Sequence, residues 1–202
     1  MITLYHSPRS RSVRPRWLLE EIGAAYDLVT LDFEKQEHKT AAHRQRHPHG
    51  QVPALVDGDL ALIESAAICL HLADRFPAAQ LAPPLGTPER GRYYQWVLYG
   101  IVTLEPPVLE VFMHTMRLPE AERSAAKAAA ARERFAEIAQ VLAEALGPNP
   151  FLLGERFSAA DVVVGSTLAW ASLFGLMDGM PALAAYVERL VQRPAYQRSQ
   201  AD

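Results

Sequence analysis

The stretch HPHGQVPALVDGDLALIES, His47 to Ser65, decides the fold of this 202-residue chain. Gln51-Val52-Pro53 stands immediately before the apolar run "ALV". An X-Pro bond at such a strand entry is a candidate for the cis isomer. That isomer turns the Val52 N–H and C=O outward, where an extended peptide can pair with them as an added strand. Asp57-Gly58, flanked by apolar runs, is a hairpin signal. Glu64-Ser65 falls where "LALI" ends and the helical pattern "AAICLHLADRF" begins. A serine there offers its hydroxyl and a helix N-terminal N–H to an anion, or caps the helix.

Upstream, Ile2 to Tyr5 reads as a buried strand, "HSPRSRSVRP" as a loop and Trp17 to Ile22 as a helix, with Gly23 placed to cap its C-terminus. Tyr26 to Phe33 alternates as a second strand. A helix between two strands makes a right-handed βαβ unit. Thr40 can cap a short helix running to Arg46. The proline-dense stretch Pro77 to Pro88 shows no periodicity and reads as a linker. Beyond it the pattern becomes helical: Glu89 to Arg117, with a bend expected at Pro106-Pro107, then Pro119 to Leu146, amphipathic through Phe135, Ile138, Leu142 and Leu146. Ser158 and Asp161 have capping-box spacing, with Phe157 and Val162 as the staple pair. They open "VVVGSTLAWASLF", apolar all round and therefore expected at a core. Pro181 to Gln192 and a piece from Pro194 follow.

Composition excludes several classes. A formal net charge of −3 gives no case for nucleic-acid or anionic-membrane binding. No run is expected to approach a membrane span, and "MITLYHSPRS" reads as a strand and not as a signal peptide. These features predict a soluble, cytoplasmic protein. The single cysteine, Cys69, excludes an internal disulfide and a Cys-X-X-Cys site and is expected in the core. His6, His38, His43, His47 and His49 are spread over a strand end, a loop and a short helix without a carboxylate set, so no metal site is predicted.

Taken as an ordered set, Gln51-Val52-Pro53, the hairpin and Glu64-Ser65 resemble the glutathione-binding half of the cytosolic, bacterial-type glutathione S-transferases; the Ser158–Asp161 box extends the likeness over most of the chain. The resemblance implies a thioredoxin-like α/β domain over residues 1–76, a linker over 77–88 and an all-helical bundle over 89–202. It implies glutathione as co-substrate, bound through Gln51, Val52, Pro53, Glu64 and Ser65, with Lys39 on its glycine carboxylate. The thiol, with an ordinary pKa near 8.5, must be held as thiolate. Members use Tyr, Ser or Cys for this. Aligning "LYHSPRS" with the serine users selects Ser10. Aligning it with the cysteine users puts Arg11 on the cysteine and Ser12 beside it, and Tyr5 is a third candidate. The missing cysteine argues against disulfide exchange.

An electrophile pocket is expected from His6, Arg9, Tyr99, Val102, Met113 and Trp170. The implied activity is conjugation of glutathione to small apolar electrophiles, with glutathione peroxidase activity possible alongside it. The alternatives are a non-catalytic glutathione- or partner-binding protein of the same fold and a maleylacetoacetate-type isomerase, whose serine-cysteine motif is not matched. A homodimer is expected, because the helices from Glu89 and Pro119 carry more apolar surface than one small bundle uses.

Overall fold

A computed structural model of the chain describes residues 1–201. It divides into two compact units. Of the described residues, the first comprises 1–82 together with 191–201, the second 83–190.

In the first unit four strands, β1 (Ile2–His6), β2 (Tyr26–Thr30), β3 (Ala54–Asp57) and β4 (Leu60–Ile63), form one sheet in the order β2-β1-β3-β4. β1 runs parallel to β2 and antiparallel to β3, and β4 returns antiparallel on β3. The crossover between the parallel pair is helix α1 (Val13–Ile22). Gly23, at φ 70°, ends α1 by donating its N–H to Leu19 O, a left-handed conformation that suits glycine. Helix α2 is the short Ala41–Arg44, capped by the Thr40 hydroxyl, and α3 is Ser65–Arg75. Alternation along β1 buries Ile2, Leu4 and His6, while Trp17, Leu18 and Leu19 of α1 and Ile68, Cys69 and Leu72 of α3 complete a core closed to solvent. This is the thioredoxin-like arrangement.

Several local expectations change. α1 starts at Val13, inside the stretch read as a loop, and not at Trp17, and α2 ends at Arg44 and not at Arg46. β2 ends at Thr30 and not at Phe33. Asp57 is itself paired, with Leu60, so the hairpin loop is Gly58-Asp59, with Gly58 at φ 62°. Ser65 is not a cap: it is the first residue of α3, and Glu64 holds the cap position at φ 70°, with no capping bond from its side chain.

The second unit is helical: α4 (Pro88–Leu98), α5 (Glu105–Phe112), α6 (Ala125–Leu146), α7 (Ala159–Ser172) and α8 (Pro181–Val191), the last reaching the unit boundary. Pro106 and Pro107 lack N–H donors. The backbone accommodates them by widening into a π-turn over Tyr99–Leu104 just ahead of α5. Gly100 in that turn lies so close to α7 that an added Cβ would stand 3.0 Å from Val163 Cγ1. α6 starts at Ala125 and not at Pro119, because Ser124 caps it by accepting from the Lys127 N–H. α7 is the buried centre, with Val162, Val163, Val164 and Leu168 fully covered. Its capping box closes as expected: Ser158 N–H donates to Asp161 Oδ2 at 2.8 Å.

The continuous helical run Pro88–Arg117 is long and apolar enough to cross a membrane by length and composition, which corrects the expectation that no run approaches a span. Core helices meet the same criterion, and Val97, Leu104, Val108 and Val111 of this run are fully buried in the unit. The final helix α9 (Pro194–Gln200) belongs to the first unit and not to the helical one. It packs on α1, where Arg193 makes a bidentate pair with Glu21 at 2.6 and 2.7 Å and Arg198 pairs with Glu20 at 2.7 Å.

Candidate functional site

The register of the sheet gathers the predicted residues at one end of the first unit. Tyr5 pairs with Ala54, and Ala54 with Ile63. One step on, Val52-Pro53 stands beside the exit of β1 and the loop Ser7–Ser12, and Glu64-Ser65 lies on its other side. The Val52-Pro53 bond is cis. Among the described residues the Val52 N–H and C=O make no hydrogen bond, so this peptide presents a donor and an acceptor as an open strand edge.

The loop behind Val52 is held from beneath. Lys39 Nζ donates to Gly50 O at 2.8 Å and to His49 O at 3.3 Å, and His43 Nε2 donates to Gln51 O at 2.7 Å. Gly50 has φ 58°, and a Cβ there would meet His38 O at 2.7 Å, so no other residue fits the turn. Lys39, expected to meet a carboxylate, is therefore engaged with backbone carbonyls. The role of His43 was not anticipated; its only signal is its place in the helix that Thr40 caps. Burial lowers the pKa of His38 and His47 beside it, with neighbouring Lys39 and His43 adding to the effect on His38 and His43 and His49 on His47.

On the Ser65 side, the buried hydroxyl of Ser65 accepts from Arg14 Nη1 at 3.1 Å. Arg14 is on α1, 51 residues away, and nothing in the sequence near Ser65 announces it. Glu64 is exposed at the lip.

On the β1 side four side chains are linked. Ser10 Oγ donates to Ser7 O at 2.7 Å and is 2.6 Å from Ser12 Oγ. Ser12 Oγ also contacts His6 Nδ1 at 2.8 Å and accepts from the Ser7 N–H at 3.1 Å. Arg16 Nη1 is 3.2 Å from His6 Nε2. Ser12 occupies the cap position of α1 but makes no side-chain capping bond. It is fully buried, while Ser10 is half-exposed. Tyr5 faces the other side of β1, where the Arg46 guanidinium lies 4.9 Å from its ring centroid.

The residues expected around an electrophile fall on both units. In the first, His6 is wholly buried in the network just described and Arg9 is exposed at φ 57°. In the second, the Tyr99 hydroxyl donates to Ile138 O at 2.9 Å, Val102 is 68% exposed, Met113 is half-buried, and Trp170 packs edge-on against Phe112 and Phe174. Among the described residues no group of His, Cys, Asp or Glu could hold a metal ion.

The family model described as "Glutathione S-transferase, N-terminal domain" matches residues 1–74, and "Glutathione S-transferase, C-terminal domain" matches residues 124–189. Among curated proteins, glutathione S-transferase A of Pleuronectes platessa is 33% identical over 87% of this chain and 79% of its own length. Glutathione S-transferase GstA of Escherichia coli O157:H7 is 30% identical over 96% of this chain and 94% of its own. Among solved structures, the theta-class glutathione S-transferase of Xanthomonas axonopodis pv. citri with glutathione bound superposes with a TM-score of 0.84 at 33% identity, covering 100% of this chain and 97% of that one.

Proposed function

This chain belongs to the glutathione S-transferase family, and on that premise we propose that it conjugates the thiolate of glutathione to small apolar electrophiles, with Ser10 activating the thiol. The protein is an enzyme of the transferase class. One observation carries the finer reading: the β1–β3–β4 register sets the open Val52 peptide between the Ser10 loop and the Ser65 hydroxyl. An extended tripeptide pairing with Val52 lays its thiol toward Ser10 and its γ-glutamyl end toward Glu64, Ser65 and the start of α3, whose N–H groups and positive end favour a carboxylate.

In the reaction the Ser10 O–H donates to the sulfur and favours the anion, and the thiol proton leaves to solvent. The thiolate then forms a C–S bond as the leaving group departs with the electron pair of the broken bond. With a hydroperoxide as acceptor, the O–O bond is cleaved and two glutathione molecules give the disulfide, an alcohol and water. The half-exposure of Ser10 supports it over Ser12, whose hydroxyl is buried and wholly engaged, and over Tyr5 on the opposite face.

The test separates activation from anchoring. Ser10→Ala should leave glutathione affinity within a few-fold and reduce turnover by roughly one to two orders of magnitude, the equivalent of a hydrogen bond to a charged group at about 1.5–3 kcal/mol. Ser65→Ala should do the reverse, weakening affinity more than it shifts the thiol pKa. The readouts are turnover of a chloronitrobenzene-type electrophile and the thiolate absorbance of bound glutathione against pH. A titration unmoved by Ser10→Ala and shifted by Ser12→Ala would assign the role to Ser12.

The same reading makes the enzyme a cytoplasmic homodimer acting in detoxification. Tyr94, Leu98 and Val102, at four-residue spacing and 38%, 57% and 68% exposed, give the second unit an apolar stripe suited to a twofold partner. Light scattering at micromolar concentration should give twice the 22.4 kDa of one chain. A stable monomer would remove the dimer.

A further inference from the structure

The hydrogen bonds behind Ser10 have a direction that can be worked out atom by atom. A guanidinium has donors only. Arg16 Nη1, at 3.2 Å from His6 Nε2, therefore makes Nε2 the acceptor, and the ring proton sits on Nδ1. Nδ1–H donates to Ser12 Oγ at 2.8 Å, and the Ser7 N–H donates to the same oxygen at 3.1 Å. A hydroxyl oxygen has two lone pairs, and these two donors occupy both. The Ser12 proton has two acceptors in reach, Ser7 O at 3.2 Å and Ser10 Oγ at 2.6 Å; the 2.6 Å oxygen–oxygen contact must carry a proton, and with both Ser12 lone pairs filled it is Ser12 that supplies it. Ser10 Oγ then accepts from the Ser12 hydroxyl and, at 3.2 Å, from the Ser12 N–H. Its own proton, resting on Ser7 O at 2.7 Å, is the only one in the chain that can be handed outward.

We propose that His6 and Arg16 are positioning residues for thiol activation: Arg16 selects the His6 tautomer, His6 turns the Ser12 hydroxyl onto Ser10, and Ser10 is left as an obligate, polarised donor to the glutathione sulfur. This rests on the assignment of Ser10 above and explains why one serine of the pair is the donor and the other is not. Hydrogen bonds aligned head to tail reinforce one another, and here the head is a cation. Both positioning side chains are nearly closed to solvent, His6 at 0% and Arg16 at 6% exposure, and β1 and α1 hold them at opposite ends of their contact. The Arg16 guanidinium is fixed further by the Ala201 carbonyl, which α9 brings onto α1, and by the Tyr26 hydroxyl.

Three substitutions of His6 distinguish positioning from bulk packing. Asn places an amide N–H where Nδ1 stood and can still donate to Ser12. Gln reaches toward the Nε2 position and keeps an acceptor for Arg16 without a donor to Ser12. Leu keeps neither. With full-length protein, the thiolate absorbance of bound glutathione is titrated, and kcat and the KM for glutathione are measured with the same test electrophile. Leu and Gln should raise the bound thiol pKa by roughly one unit and lower kcat about tenfold, with KM changed less than about threefold, while Asn should return both close to the parent values. On a Ser10→Ala background, His6→Leu should add nothing, since the two act through one hydrogen bond.

A folded His6→Leu protein with an unmoved titration overturns the proposal, and so does a His6 effect of full size on the Ser10→Ala background. If His6→Leu does not fold, Ser12→Ala decides: it removes the same link and should raise the pKa likewise, and an unchanged pKa overturns the relay. The two readings fail differently. Ser10→Ala shifting the pKa while His6→Leu and Ser12→Ala do not leaves Ser10 as activator without a relay. Ser10→Ala having no effect overturns both.

Discussion

Tyr186 donates its hydroxyl to Asp161 Oδ1 at 2.8 Å, and both side chains are closed to solvent. The same carboxylate accepts from the Leu152 N–H at 2.9 Å, the Ser158 N–H at 2.8 Å and the Ser158 hydroxyl at 3.0 Å. Burial pushes the Asp161 pKa up, and these four donors oppose it. The carboxylate thus joins the loop before α7, the start of α7 and helix α8 at one point.

Asp161→Ala should therefore cost on the order of 3 kcal/mol, more than the ~0.5–2 kcal/mol of a surface cap, because it strands two backbone N–H groups and the Tyr186 hydroxyl in the core. Tyr186→Phe removes one of the four donors and should cost roughly 1–3 kcal/mol. Denaturant midpoints at constant m-value measure both. Equal losses in the two variants would show that the tyrosine, and not the cap, dominates. Glutathione binding should survive in whatever fraction stays folded, since every anchor proposed for it is in the other unit.

Acidification should destabilise the first unit through His47. Its folded pKa lies below the ordinary value of 6.5, chiefly through burial, so the unfolded chain binds protons that the folded chain resists. The His47 contribution is complete above the unfolded pKa and is lost as the pH falls below it toward the folded pKa. His38, lowered for the same principal reason, acts in the same direction. His47→Asn should flatten the decline of the unfolding free energy between about pH 7 and 5, and an unchanged slope would place the acid sensitivity elsewhere.

Cys69 should be inert. Its thiol is fully buried in α3 and its pKa is pushed up to about 12 by burial. A thiol reagent at neutral pH should label it at the rate of unfolding and not at that of a free thiolate. Rapid labelling of native protein would show that α3 opens locally.

The sequence by itself determined what depends on neighbours along the chain. Gly23 ends α1 because its left-handed φ suits glycine, Thr40 caps α2 because a hydroxyl reaches an N–H three residues on, and Ser158 with Asp161 closes a box by the same reach. The cis Val52-Pro53 bond and the hairpin are equally local, and together with Glu64-Ser65 they made the family legible. The reach of a side chain is also where this legibility stops. Spacing alone does not rank Ser10 against Ser12, because in the proposed relay the ranking depends on which oxygen has its lone pairs filled, and the donors to Ser12 Oγ are the Ser7 N–H and His6 on β1, whose tautomer Arg16 on α1 selects. Ser65 reads as an anion ligand or a cap at the start of a helix, and nothing near it along the chain announces that Arg14 donates to its hydroxyl. Lys39 read as a carboxylate ligand until the Gly50 turn offered it carbonyls. The last helix read as part of the bundle, because its placement with the first unit is decided by Glu20 and Glu21, more than 170 residues earlier, and only folding brings them to Arg198 and Arg193. Turn and cap chemistry act over a few bonds, whereas a hydroxyl's partner, and hence the direction of its proton, is chosen by whatever tertiary packing sets beside it.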